Sequence, residues 1–246
     1  MSHNDTRKKL DFRDPMLIIL IILLIFLTMG TAIGGCTSNK QITIVLDAAY
    51  GGDQPGYEGI VKEADVTQAI VEALSTKLQE DDHFAVQLTH EKGQAATVTE
   101  RAEVINKIHP DLVLSIHAGG NPNPEQSGQK IYADIPTDSA NKVSLAAAQT
   151  IGREFAADGW NVFMGYMYYE PFDENTYSIL NVDADDTTEY QYDTWDIMKA
   201  SEAPVVVSDS FRVTNQADVD RWANEEGYKK AADLYYTALK KYYGIE

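Results

Sequence analysis

The strongest constraint on the fold of this chain is a set of short apolar runs that each end on a polar residue. Residues 42–47 (ITIVLD) are β-branched and continuous, the pattern of a strand covered on both faces, and they run into Asp47 and the turn Ala48-Ala49-Tyr50-Gly51-Gly52. Residues 111–117 (DLVLSIH) end on His117, and residues 205–207 after Pro204 lead to Ser208 and Asp209. Shorter strands are expected at 85–89 and 130–133. The segments between have helical spacing. Residues 61–79 align Val66, Ile70, Ala73, Leu74 and Leu78, and residues 98–108 turn Val98, Ala102, Ile105 and Ile108 inward. Residues 139–157 are Ala-rich, and residues 216–243 read as one long amphipathic helix begun near Asn215. This alternation predicts an α/β fold, a mixed, mostly parallel twisted sheet with helices on both faces. Residues 160–193, rich in Tyr and acids, read as a long insertion or rim. Within them Tyr166, Tyr168 and Tyr169 suit a half-buried strand face or a glycan groove.

The first 36 residues follow different rules. Arg7, Lys8, Lys9 and Arg13 precede the apolar run MLIILIILLIFLTM, which continues through small residues to Cys36, the chain's single cysteine. Basic flank, apolar run and small residues make a signal segment, and residues 16–35 are also long enough to span a bilayer as a helix. Ile33-Gly34-Gly35-Cys36 resembles a bacterial lipobox, which would place lipid on Cys36. The expected organisation is a signal or anchor segment over 1–36, a short polar linker over 37–41 and a folded domain over 42–246. The basic flank keeps residues 1–15 cytoplasmic and places the domain outside. The formal net charge of the whole chain is -18. That excess repels phosphate backbones, so nucleic acid is excluded as a partner. One cysteine also excludes an intrachain disulfide framework and a multi-Cys metal cluster.

In open α/β sheets ligands bind outside the carboxyl ends of the strands. The Asp47 turn, His117 and Ser208-Asp209 all fall there, and Glu63, near the start of the next helix, leans into the same crevice. One His, one Glu and a further carboxylate at a sheet edge suit a zinc hydrolase site, with three protein ligands and an activated water. Each residue also has a structural reading. Glu63 suits a helix N-terminus through the dipole, His117 a hydrogen-bonded core position, and Asp209 a turn.

Read as ordered motifs, the chain resembles the zinc-dependent N-acetylmuramoyl-L-alanine amidases of bacterial cell walls. The family's D-P-G-H-G-G corresponds to Asp47-Ala48-Ala49-Tyr50-Gly51-Gly52, and its helix opening E-K to Glu63-Ala64. Its V-x-L-T-R strand corresponds to Val86-Gln87-Leu88-Thr89-His90, and L-x-x-R to Val98-Thr99-Glu100-Arg101. S-I-H-A is intact as Ser115-Ile116-His117-Ala118, and G-x-x-x-Y matches Gly128 to Tyr132. The closing P-x-V-L-V-E-x-G-F-x-x-N matches Pro204 through Asn215. The resemblance implies an amidase-like α/β fold, peptidoglycan or muropeptides as ligand, and cleavage of the amide between the lactyl group of N-acetylmuramic acid and L-alanine.

The resemblance also implies zinc held by the first His, the Glu and the second His. Glu63 and His117 match the second and third ligands, while Tyr50 stands at the position of the first. The family's catalytic glutamate falls on Asp209 when counted from Pro204 and on Ser208 when counted back from Phe211. His90, in place of the family's Arg, is a possible surrogate ligand. The expected function is a membrane-anchored, extracytoplasmic, peptidoglycan-directed domain with an eroded zinc site and a binding or regulatory role. An active zinc amidase with non-standard ligands is the alternative, and a surface lipoprotein for protein interaction, using acidic residues 183–193, is the second. Zinc is the cofactor if the domain is active, and otherwise none is implied.

Overall fold

The structure is a computed structural model that describes residues 40–173, 176–186 and 188–245; the signal or anchor segment with Cys36 lies outside the described residues. Among the described residues no helix is long and apolar enough to cross a membrane.

The chain begins with β1 (Ile42–Ala48), α1 (Glu63–Gln79), β2 (Phe84–Leu88), α2 (Val98–Ile108) and β3 (Leu112–His117). It continues through β4 (Gln129–Ala133), α3 (Asn141–Ala157), β5 (Val162–Pro171) and β6 (Tyr177–Asp183). The short α4 (Asp196–Ala200), β7 (Val205–Asp209), α5 (Gln216–Trp222) and α6 (Glu225–Tyr243) complete it. The strands form one sheet in the order β2-β1-β3-β7-β4-β5-β6. Pairings β1–β2, β1–β3, β3–β7 and β4–β5 are parallel, while β4–β7 and β5–β6 are antiparallel. The sheet is therefore mixed and mostly parallel, as expected.

Both faces are covered, which is why residues 44–46 of β1, 112–114 of β3 and 205–207 of β7 are apolar at successive positions. On one face Ile44, Leu46, Leu114, Ile116 and Val206 pack with Val66, Ile70 and Leu74 of α1, Ile151 of α3 and Tyr235 and Leu239 of α6. On the other, Val45, Val113, Val205 and Val207 pack with Ala102 and Ile105 of α2 and Ile197 and Met198 of α4. Helix α2 starts where the sequence places it because Thr97 and Glu100 form a reciprocal capping box. The Glu100 N–H donates to Thr97 Oγ1 and the Thr97 N–H to Glu100 Oε2.

Two expectations need correction. Residues 216–243 are two helices rather than one. Ala223 leaves helical geometry, and Asn224, in extended backbone, accepts from the Gly227 N–H to begin α6. A Cβ on Gly227 would lie 2.5 Å from the Trp222 carbonyl oxygen, so the corner requires glycine there. Residues 160–193 are not a rim, because they contribute β5 and β6 to the sheet itself. Tyr166 and Tyr168 are buried on β5 and Tyr169 is half-buried, which gives the strand-face reading for the first two.

The topology aligns the site. β4 runs opposite to β7, so the start of β4 lies beside the end of β7. Register places His117 opposite Asp209, and Asp209 opposite Lys130. Register-matched residues share a face, so these three side chains form a row across the sheet edge, on the α2 side.

Candidate functional site

The deepest layer is a buried carboxylate. Asp47, with no solvent exposure, accepts from Thr89 Oγ1, Arg101 Nη1 and Ser115 Oγ, each at 2.6 Å. These groups come from β1, the end of β2, α2 and β3, so one carboxylate ties four elements together beneath the strand ends. A buried charge is tolerated only when paired and hydrogen-bonded, and both conditions hold.

Above it lie Glu63 and His117. Glu63 Oε1 is 3.1 Å from His117 Nδ1 and accepts from the Ala118 N–H at 3.1 Å, while Oε2 accepts from the Tyr57 N–H at 2.9 Å. Burial alone would raise the Glu63 carboxyl, but the hydrogen bond and charge of His117 and the two backbone donors hold it below its ordinary value. The His117 ring packs against Trp195, with centroids 4.8 Å apart, and meets Tyr50 edge-on at 6.0 Å. Tyr50 therefore does sit beside the Glu63–His117 pair. Burial pushes its phenol above the ordinary value, with the Glu63 carboxylate and, more weakly, Asp209 adding to the rise and Arg101 opposing it. The loop over this pair needs a glycine at 56. Its φ is +68°, and a Cβ there would lie 2.6 Å from the Tyr50 ring and 2.8 Å from Glu63 Oε2.

Asp209 is the next carboxylate in the row, with both oxygens engaged. The Gly119 N–H donates to Oδ1 at 2.7 Å, and Arg212 Nη1 forms an ion pair with Oδ2. Ser208 points to the opposite face, where its hydroxyl lies 2.6 Å from Tyr235 Oη and accepts from Gln129 Nε2 at 2.8 Å. Of the two positions suggested for a proton-relaying residue, Asp209 faces His117 and Ser208 faces the core. His90 Nδ1 lies 3.0 Å from Thr89 Oγ1, and burial lowers its basicity. Among the described residues no cluster of three or more His, Cys, Asp or Glu side chains is placed to hold a metal ion, so His90 does not complete a ligand set with Glu63 and His117.

Three neighbours in the site were not anticipated from sequence. Trp195 covers the His117 ring, Arg212 holds Asp209, and Lys130 extends the row. Arg212 offers a sequence signal, a cation three residues after an acid at a strand end. Trp195 offers none, since it falls between residue 193 and the strand at 205–207, in a segment the sequence assigns to no element.

Known proteins resemble this chain in both sequence and fold. A family model described as N-acetylmuramoyl-L-alanine amidase matches residues 44–241. A probable N-acetylmuramoyl-L-alanine amidase AmiB of Haemophilus influenzae is 32% identical over 94 residues, 37% of this chain, and the match spans only 22% of that protein's length. A putative N-acetylmuramoyl-L-alanine amidase of Buchnera aphidicola is 22% identical over 228 residues, covering 83% of this chain and 96% of that one. The catalytic domain of CwlV, an N-acetylmuramoyl-L-alanine amidase of Bacillus (Paenibacillus) polymyxa, shares the fold at a TM-score of 0.67 and 17% identity, over 84% of this chain and 100% of that one. With the family model spanning most of its length, the chain belongs to the N-acetylmuramoyl-L-alanine amidase family.

Proposed function

We propose that this chain is a peptidoglycan-directed domain that keeps the amidase fold for binding and has given up its zinc chemistry. The observation that carries the reading is the occupancy of the site. Tyr50 fills the place beside Glu63 and His117 where a third ligand would stand, and Asp209 is bound to Arg212. A zinc hydrolase site needs three protein donors and an open position for water. Here one imidazole and one carboxylate are joined by a phenol, a group with an ordinary pKa near 10 that is a poor donor when neutral. The residues present do not fit a resident zinc ion. Asp209 has one oxygen on a backbone N–H and the other on a guanidinium, and a general base must instead present an oxygen to the proton it takes.

The ligand class, peptidoglycan and its muropeptide fragments, follows from family membership. The basic flank, the apolar run and Cys36 support an extracytoplasmic location on the cell membrane, held by lipid on Cys36 or by a spanning helix. The test is to incubate the full-length protein with purified peptidoglycan and measure both retention on the polymer and release of stem peptide. Retention with release at background is expected. Release at rates ordinary for enzymes, about 1 per second or faster, would make this a working amidase. Absence of retention would remove the peptidoglycan reading in favour of a protein-interaction role.

A further inference from the structure

One edge of the sheet is left open to another chain. β6 is the terminal strand, paired with β5 on its inner side, and among the described residues no strand pairs with its outer side. Natural edges are ordinarily blunted by Lys, by Pro or by a bulge. The seven residues of β6, YSILNVD, contain neither Lys nor Pro, and their register with β5 runs without a break from Tyr177 to Asp183. Val182 is the only buried one.

The same edge carries the most exposed apolar side chains. Phe172, Tyr177 and Ile179 are 81%, 63% and 60% exposed, and the next, Ile60, is at 48%. Tyr177 and Ile179 are matched in register with Pro171 and Tyr169 and share their face of the sheet. The Tyr177 ring meets the Tyr169 ring edge-on at 4.7 Å. A cleft of about 590 Å3 lies against these rings, and its walls also carry Asp173, Asp193, Asp196 and Lys199.

Charge selects what covers the edge. Residues 170–199 hold nine acidic side chains and one basic one, Lys199. Lys199 is already shared, 3.2 Å from Asp193 and 3.0 Å from Asp196. Three carboxylates against one ammonium leave the cleft negative. At the far end of β6, Asp183 and Asp185 line a separate cleft with Lys130 and Arg153, so the uncompensated charge lies at the Tyr177 end. A second copy of this chain laid on the edge would bring two such acidic segments together, and anionic lipid headgroups would meet the same repulsion.

We infer that β6 is a docking edge for an extended basic segment of another protein, which adds to the seven-stranded sheet as an eighth strand. The β6 backbone supplies the hydrogen bonds, Tyr177 and Ile179 receive apolar side chains, and the acids of the cleft receive a Lys or Arg. The inference does not rest on the peptidoglycan reading.

The test uses the full-length protein in detergent and a dye-labelled, end-capped probe peptide, Lys-Thr-Val-Thr-Val-Thr-Lys, whose Lys and Val side chains share one face of a strand. Fluorescence anisotropy should show binding, and the same peptide with Glu for both Lys should bind about tenfold more weakly or worse. N-methylation of the amides on one edge of the peptide should abolish binding, and N-methylation of those on the other edge should leave it. Hydrogen exchange should slow in β6 on peptide addition and stay unchanged in β2, the strand at the opposite end of the sheet. Ile179→Lys, at an exposed position, should lower affinity about tenfold by placing a cation on the edge, with circular dichroism checking its fold. No binding at millimolar peptide, equal binding of both methylated forms, or slowed exchange away from β6 would overturn the inference. Light scattering should find the protein monomeric, and a dimer that Ile179→Lys dissolves would overturn it too, by making the occupant a second copy.

Discussion

Replacing Asp134 by Asn should stabilise the domain at neutral pH. Asp134 follows β4 and is 2% exposed, and its Oδ2 accepts from the Val205 N–H at 2.9 Å, tying the end of β4 to the start of β7. Burial pushes its carboxyl up to about 6 from an ordinary 3.8, against the lowering effect of the Val205 donor. Between those two values the folded state holds a proton that the unfolded state has released, so stability falls as pH rises through the window and levels off above it. At 1.36 kcal/mol per unit, a gap of about two units corresponds to a cost on the order of 3 kcal/mol at neutral pH. Asn keeps an acceptor for Val205 and has nothing to titrate. Asp134→Asn should therefore match wild type near pH 4 and exceed it at pH 7.5. For a domain of this size the gain is roughly 5–10 °C in Tm. Thermal melts of both proteins at four pH values between 4 and 7.5 measure the difference directly, and other titrating groups cancel in it. A difference that is flat with pH, or a variant that loses ground as pH rises, would refute the reasoning.

Three further outcomes follow from the site and the leader. Arg101→Met strands the buried Asp47 carboxylate and should cost about 3–5 kcal/mol in urea unfolding; adding Asp47→Asn should recover part of that loss, and a cost under about 1 kcal/mol would mean the pair is dispensable. Tyr50→His with Asp209→Glu should release more stem peptide from peptidoglycan than either change alone, because ligand and proton relay act as a unit. The pair Tyr50→His with Ser208→Glu should stay inactive, since Ser208 faces Tyr235; activity from that pair would contradict the register of β7. Cys36→Ala should abolish lipid labelling and leave the signal segment uncleaved, whereas unchanged labelling and mass would identify a spanning helix.

The sheet was legible in the sequence where strands are covered on both faces by helices that announce themselves. β1, β3 and α2 fall where their apolar runs and helical spacing place them. β5 was not legible, because Gly165 interrupts its apolar run and the tyrosines that follow suit a groove as well as a strand face. β6 is largely exposed, with Tyr177 and Ile179 outward, so it lacks an apolar face as a signal. The break at Ala223 was hidden because the apolar stripe continues through it. Glu63, His117, Tyr50 and Asp209 were found through ordered motifs, and the structure brings all four to one edge. What the sequence could not supply was cross-chain pairing. Thr89, Arg101 and Ser115 were visible as isolated motif residues, but their convergence on Asp47 depends on register between elements up to 68 residues apart. The Arg212 clamp on Asp209 decides what that carboxylate can do, and it appears only once the turn after β7 is folded.

Zinc content tests the central claim most directly. Full-length protein is loaded with excess zinc, dialysed against a weak chelator and measured by elemental mass spectrometry alongside Tyr50→His. The account predicts that wild type retains far less than one zinc per chain and that Tyr50→His retains markedly more, since it restores a nitrogen donor beside Glu63 and His117. Wild type holding close to one zinc per chain through dialysis, with Tyr50→His no better, would contradict it.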